Sequence, residues 1–245
     1  MSQNIYDDTE FFRGYKALRD EKAGLNEALE QPAMDSLMPD VRGLDILDMG
    51  CGAGDLCRTV SRRGARSVVG VDVSRNMLEL ARSDSPEGVQ FLNCSIEDSE
   101  FDEGSFDLIL SSLALHYVED LENFFKKAHG WLRQGGLLIF SMEHPIATSA
   151  QGRHPGWITD EKGNKLYWAI DFYNDEGKRE SHWFVDGVVK YHRMTSTILN
   201  SLIDAGFSLK RILEPIALPE HEKKRPSLSE ERRRPPFLVL KALRS

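Results

Sequence analysis

Leu47-Asp48-Met49-Gly50-Cys51-Gly52-Ala53-Gly54-Asp55 carries the chain from an apolar run into three glycines at alternate positions. The run over 44–49 has the short, bounded hydrophobicity of a buried strand. The glycines permit a tight turn and leave space where side chains would block a ligand. Residues 55–63 follow with Leu56 and Val60 on one face, which predicts a helix. Further strands are predicted at 67–71, 89–93, 106–111 and 137–141. Helices are predicted over 76–82 and 120–132, the latter with Leu121, Phe124, Phe125, Ala128 and Leu132 in helical register. Strands alternating with helices make βαβ units, so the fold class is α/β, a doubly wound, mostly parallel sheet covered on both faces. A helix over 194–205, capped by Gly206, and strands at 207–213 and 237–242 complete the pattern. The first 40 residues read as helix with breaks: Tyr15, Leu18, Lys22, Leu25 and Leu29 fall at helical spacing, and Pro32 and Pro39 punctuate them.

In an open α/β sheet the loop after the first strand is the expected ligand crevice. Its spacing is G-x-G-x-G; a dinucleotide fingerprint would need its third glycine where Asp55 stands, and that carboxylate would repel a pyrophosphate. The second strand ends in Gly70-Val71-Asp72-Val73-Ser74, which puts Asp72 where an acid accepts from both ribose hydroxyls. Asp48 adds a carboxylate suited to an amino group. Together they describe a nucleoside with a cationic, amino-acid-like tail, the shape of S-adenosylmethionine.

With these residues the chain resembles the class I S-adenosylmethionine-dependent methyltransferases, in the broad group of small bacterial enzymes acting on small molecules. Asp48-x-Gly50-x-Gly52-x-Gly54 resembles the family's first motif, and Gly70-Val71-Asp72-x-Ser74-x-x-Met77-Leu78 its second. Phe106-Asp107-Leu108-Ile109 through Ser112 resembles the fourth-strand motif, and Leu132-Arg133-Gln134-Gly135-Gly136 the turn before strand five, with Gln134 in place of the usual proline. The similarity spans about residues 44–142. It implies a Rossmann-like sheet of seven strands with the last antiparallel, and S-adenosylmethionine as cofactor. The expected cofactor contacts are Asp48, Gly50, Cys51, Gly52, Gly54, Asp72, Val73, Met77 and Ser111. The family's acid after strand three, an adenine acceptor, falls on Ser95, with Glu97 as a substitute and Ile96 or Met77 against the ring. Residues 1–40 are expected to close over the cofactor as a helical lid on a methyltransferase domain of 41–245, with Tyr15 and Arg19 reaching its carboxylate end and Tyr6 beside them.

Methyl transfer is an in-line displacement whose leaving group departs neutral, so alignment and water exclusion matter most. A general base is needed only when the acceptor arrives protonated. His116 and His144, just beyond strands four and five, are the candidates. The segment of about 145–192 interrupts the alternation and holds three of the four tryptophans. It is expected to be an aromatic-rich insertion, either a satellite core or a cap walling a ligand pocket. Substrate candidates are Glu143 for an amine, Arg193 for a carboxylate, and Tyr173, Trp183, Tyr191 and His192.

The chain has 245 residues, 40% hydrophobic and 29% charged, with a net charge of −8. That is an ordinary globular composition, and the acidic balance opposes nucleic acid as partner. Ser111-Ser112-Leu113-Ala114 also lacks the D/N/S-P-P-Y/F motif of DNA amino-methyltransferases. Arg232-Arg233-Arg234 reads as a solvated loop, within an exposed connection over 219–236. The three cysteines form no C-x-x-C pair, and no metal is expected. No apolar run approaches the ~20 residues of a membrane helix, and the acidic start is unlike a signal peptide. A cytoplasmic monomer or homodimer acting on a small-molecule acceptor is expected. Other readings left open are methylation of a carrier-bound acyl carboxylate and a non-catalytic S-adenosylmethionine binder; the glycine spacing opposes a nicotinamide oxidoreductase.

Overall fold

Apolar residues alternate along the central strands and feed two cores, one on each face of a single sheet. The computed structural model describes residues 3–20, 24–150 and 156–245; Lys22 lies outside them. After a 3-10 turn at Ile5–Asp7, the chain forms α1 (Thr9–Asp20), a π-helical turn at Asn26–Glu30 and α2 (Gln31–Leu37). Then come β1 (Asp45–Met49), α3 (Asp55–Arg62), β2 (Ser67–Asp72), α4 (Arg75–Ser83), β3 (Val89–Asn93), β4 (Phe106–Ser111), α5 (Leu121–Trp131), β5 (Leu132–Glu143) and the short α6 (Pro145–Thr148). The insertion forms two hairpins, β6 (Trp157–Thr159) with β7 (Lys165–Trp168), and β8 (Gly177–Trp183) with β9 (Val185–His192). Helix α7 (Thr195–Asp204), β10 (Phe207–Leu213), α8 (Pro219–Lys224), a 3-10 segment at Pro226–Arg233 and β11 (Phe237–Arg244) finish the chain.

The seven-stranded sheet runs β10-β11-β5-β4-β1-β2-β3. β11 is antiparallel to both its neighbours, and the other pairings are parallel. Leu108, Leu110, Ile139 and Val239 point to the face covered by α2, α3 and α4. Ile109, Leu138, Phe140, Leu238 and Leu240 point to the face covered by α5 and α7, against Phe124, Phe125, Ile198 and Leu202. This two-sided burial is what makes parallel strands read as continuous apolar runs. The order reverses between β1 and β4, so the crevice opens at their C-terminal ends.

Two expectations are corrected at the C-terminal end. The 219–236 connection is not exposed throughout: its Leu228 joins Ala28, Leu29, Ala217 and Phe237 in a third apolar cluster that ties it to the N-terminal segment. The arginine cluster is not uniformly solvated either. Arg233 lies 4.5 Å over the Trp157 ring and Arg234 4.2 Å over Trp168, so two of the three stack on the first hairpin.

Candidate cofactor and acceptor site

The glycine loop is stitched onto the end of β2. Gly50 and Cys51 donate their N–H groups to Val71 O at 2.8 and 2.9 Å, and Gly52 donates to Asp72 Oδ2 at 2.8 Å. Gly50, Gly52 and Gly54 all lie in the left-handed region, at φ of +75°, +52° and +80°. A Cβ on Gly50 would stand 2.3 Å from that of Ala114, whereas one on Gly52 would meet open space. The loop is therefore packed on one side and free on the other.

Asp72 accepts from Gly52 and, through Oδ1, from Ser74 N–H at 2.9 Å, leaving a lone pair on each oxygen for the crevice. Burial raises its pKa, and the two amides offset part of that rise. Asp48 is 1% exposed, accepts from Cys57 Sγ at 3.2 Å on Oδ2, and among the described residues has no partner for Oδ1. Burial, added to by Asp72 and Glu30, pushes it up to about 7. A buried, half-unpaired carboxylate is costly, and the ammonium group of an amino-acid tail is the complement it lacks. The residues present thus fit S-adenosylmethionine at both its ribose and its amino-acid end.

One crevice of about 1610 Å³ joins these groups. It exceeds the space one drug-sized ligand fills, so it has room for a cofactor and an acceptor together. Its walls include Asp48, Gly50, Cys51, Gly52, Asp72, Val73, Met77, Ser95, Ile96, Glu97, Tyr15 and Arg19 from the expected cofactor set. The Ser95 hydroxyl is held by Asp98, donating to Oδ2 at 2.7 Å and accepting from N–H at 3.0 Å, so it is turned into its own loop and not toward an adenine. Ser111 is a correction: it is wholly buried, donates to Met49 O at 2.8 Å and ties β4 to β1 behind the wall. Arg19 binds Asn26 Oδ1 at 2.5 Å and Glu27 at 2.9 Å, and faces Asp55 at 3.7 Å, which fastens α1 to the start of α3. Tyr15 meets Tyr6 and Trp183 edge-on, at 5.1 and 6.0 Å between centroids.

The crevice is also lined by Tyr6, His116, Tyr117, Glu143, Trp183 and Tyr191, with Tyr6 between Tyr15 and Tyr117. His116 is 2% exposed; its Nδ1 accepts the Glu143 N–H at 3.3 Å, and burial lowers its pKa to about 4. The neutral ring therefore carries its proton on Nε2, a donor toward the crevice where a general base had been expected. Glu143 accepts from Lys190 Nζ of β9 at 2.5 Å. Burial alone would raise its pKa, but Lys190, His116 and Arg234 together outweigh burial and hold it below the usual value.

Four other candidates are structural. His144 caps α6: its Nδ1 accepts Ile146 N–H at 3.1 Å and its Nε2 meets Glu214 at 3.0 Å, so neither nitrogen is free to act as a base. Tyr173 accepts Thr195 N–H at 3.1 Å at the start of α7. Arg193 donates to Val118 O and Glu119 O at 2.8 and 2.5 Å, pinning β9 to the chain after β4. His192 is wholly buried between Thr148 and Tyr173 O, at 2.9 Å from each. The insertion likewise divides: the second hairpin lines the crevice through Trp183 and Tyr191, while Trp157, Tyr167 and Trp168 of the first frame a separate cavity of about 280 Å³.

Sequence reasoning missed Glu30, Tyr117, Lys190 and Arg234. Tyr117 follows His116 directly and could have been taken with it; the others reach the site only through the tertiary fold. It also missed Leu113, at φ +52°, whose N–H is held by Ser141 O and Oγ at 3.1 and 3.0 Å.

Residues 47–140 match the methyltransferase domain family model. A S-adenosylmethionine-dependent methyltransferase from Mesorhizobium loti superposes with a TM-score of 0.83 at 42% identity, covering 90% of this chain and 100% of that one. An uncharacterized protein of Haemophilus influenzae is 37% identical over 246 residues, 98% of this chain and 96% of its own length. A ubiquinone biosynthesis O-methyltransferase of Chelativorans sp. is 40% identical over 100 residues, so this chain spans only 39% of that relative.

Proposed function

This chain belongs to the class I S-adenosylmethionine-dependent methyltransferases, and from that premise we propose that its acceptor is a small molecule, planar or partly apolar, seated against the second hairpin. The cofactor supplies an electrophilic methyl group on a sulfonium. The chain's own residues bind, orient and exclude water around it. Asp72 holds the ribose and Asp48 the ammonium group. The start of the N-terminal segment, residues 3–20, acts as a lid, while α2 belongs to the core layer: Asp7 accepts from Ser74 Oγ at 2.6 Å and from Asn76 N–H at 3.1 Å, so residues 3–20 close over the start of α4.

The observation that carries the acceptor reading is the aromatic wall. Tyr6, Tyr117, Trp183 and Tyr191 line the same crevice, and the neutral His116 offers a single donor among them. Flat apolar walls with few polar groups suit a flat ligand of similar character. Short-range likeness to a quinone-pathway O-methyltransferase supports the same class. The oxygen, nitrogen, sulfur or carbon that receives the methyl group is read from product analysis.

Truncating Trp183 tests this. In Trp183→Ala, screened by S-adenosylhomocysteine release against a panel of phenols, catechols and aryl amines, KM for the acceptor rises about tenfold or more, since a buried aromatic contributes roughly 1.5–3 kcal/mol. Affinity for S-adenosylhomocysteine stays within about threefold, because Asp72 and Asp48 are left untouched. An unchanged acceptor KM would remove the hairpin from the acceptor site.

A further inference from the structure

Glu30 is wholly buried but belongs to none of the apolar clusters. It ends the π-helical turn and lines the crevice. Its Oε1 accepts from Ser112 Oγ at 2.8 Å and Ser141 Oγ at 2.5 Å, and its Oε2 accepts from Asn26 Nδ2 at 3.2 Å. Those serines stand at the C-terminal ends of β4 and β5. Among the described residues no ion pair to Glu30 forms. The charged groups that face it are Arg19, already paired with Glu27, and Glu27 itself. Those facing Asp48 are Asp72, Glu30 and Asp55, all acidic. Two carboxylates are thus buried within electrostatic reach of each other, and among the described residues Asp48 Oδ1 has no partner. Burying charge without a counter-charge is expensive, and a ligand that brings the positive charge removes the expense.

The order of the carboxylates along the sheet says which charge. Asp72 ends β2 and Asp48 belongs to β1, while Glu30 lies against the ends of β4 and β5, on the side of His116 and Glu143. Sulfur joins the ribose to the amino-acid chain, so with those two held at Asp72 and Asp48 it would lie between them and turn its methyl group toward the acceptor end, the side on which Glu30 stands. We propose that Glu30 is the counter-charge of the sulfonium and sets the preference of the site for S-adenosylmethionine over S-adenosylhomocysteine; this rests on the cofactor assignment. Transfer would form a bond from an acceptor lone pair to the methyl carbon as the S–CH3 bond breaks, leaving that bond's electron pair on sulfur and abolishing the sulfonium charge. The product then loses the attraction that held the substrate, which favours exchange.

Calorimetric titration of the full chain with S-adenosylmethionine, S-adenosylhomocysteine and sinefungin, whose amine places a positive charge near the sulfonium position, tests the proposal. The unmodified protein binds the two cationic ligands about tenfold or more tightly than the neutral thioether. Glu30→Gln keeps the hydrogen-bonding shape and drops the charge; the cationic ligands then weaken about tenfold and the thioether by less than about threefold. Ser141→Ala removes a hydrogen bond but keeps the charge, and so retains the preference. Equal affinities in the unmodified protein, or equal losses in Glu30→Gln, would overturn the proposal and reduce Glu30 to a brace for the Leu113 turn. Failure of all three ligands to bind would strike the cofactor assignment itself.

Discussion

Asp48 and His116 illustrate how burial sets chemistry one residue at a time. Burial holds the Asp48 carboxyl at about 7, well above an ordinary carboxylate. In the free protein this opposes folding as pH rises, because the unfolded chain gives up its proton first. A bound ammonium reverses the preference and favours the ionised form. S-adenosylhomocysteine affinity, measured by calorimetry, is therefore expected to rise roughly eightfold between pH 6 and 7.5, following the ionised fraction. A flat profile would separate Asp48 from the ammonium group, and Asp48→Asn should be flat and weaker throughout. The acids at 48 and 72 were legible in the sequence because they flank glycines at fixed offsets. The histidines were legible as residues and not as roles. His144 precedes Pro145, the pattern of an N-cap before proline at N1, and that signal could have identified it as a cap. Glu30 gave no signal, since its serine partners lie 82 and 111 residues away.

The elements were legible to within a residue or two wherever hydrophobic period and glycine agreed. All seven strands of the sheet were anticipated, and β5 differs most because its start pairs with β4 around the Gly135 turn, Phe106 against Leu132. The 219–236 connection departs from its expected exposure for a different reason: Leu228 packs against the N-terminal segment, a contact that local polarity conceals. The glycine loop offers a sharp test at this scale. Gly50→Ala drives a Cβ into Ala114 at positive φ and is expected to cost about 2–4 kcal/mol in urea unfolding. Gly52→Ala meets open space, so it costs only about 1–2 kcal/mol for its φ. Its methyl group nonetheless enters the crevice, and S-adenosylhomocysteine binding should fall steeply. Retained binding in Gly52→Ala would show that the free side of the loop is not the ligand's side.

The molecule builds its site from parts far apart in the chain. The sheet supplies Asp48 and Asp72, and the turn beyond β4 His116; the N-terminal segment adds Tyr6, Tyr15 and Glu30; the second hairpin adds Trp183 and Tyr191; and the C-terminal connection adds Arg234. All of these must be folded together for one ligand to be enclosed, so ligand binding should stabilise the whole protein. The most direct test is a thermal-unfolding titration with S-adenosylhomocysteine, with NAD in parallel and Asp72→Ala as control. At a ligand concentration ~100 times the dissociation constant, linkage contributes roughly 2.7 kcal/mol, or about 5–11 °C in Tm for a chain of this size. The expected result is that shift with S-adenosylhomocysteine alone, largely lost in Asp72→Ala. No shift, or a shift with NAD instead, would contradict the account of the glycine loop and of everything built on it.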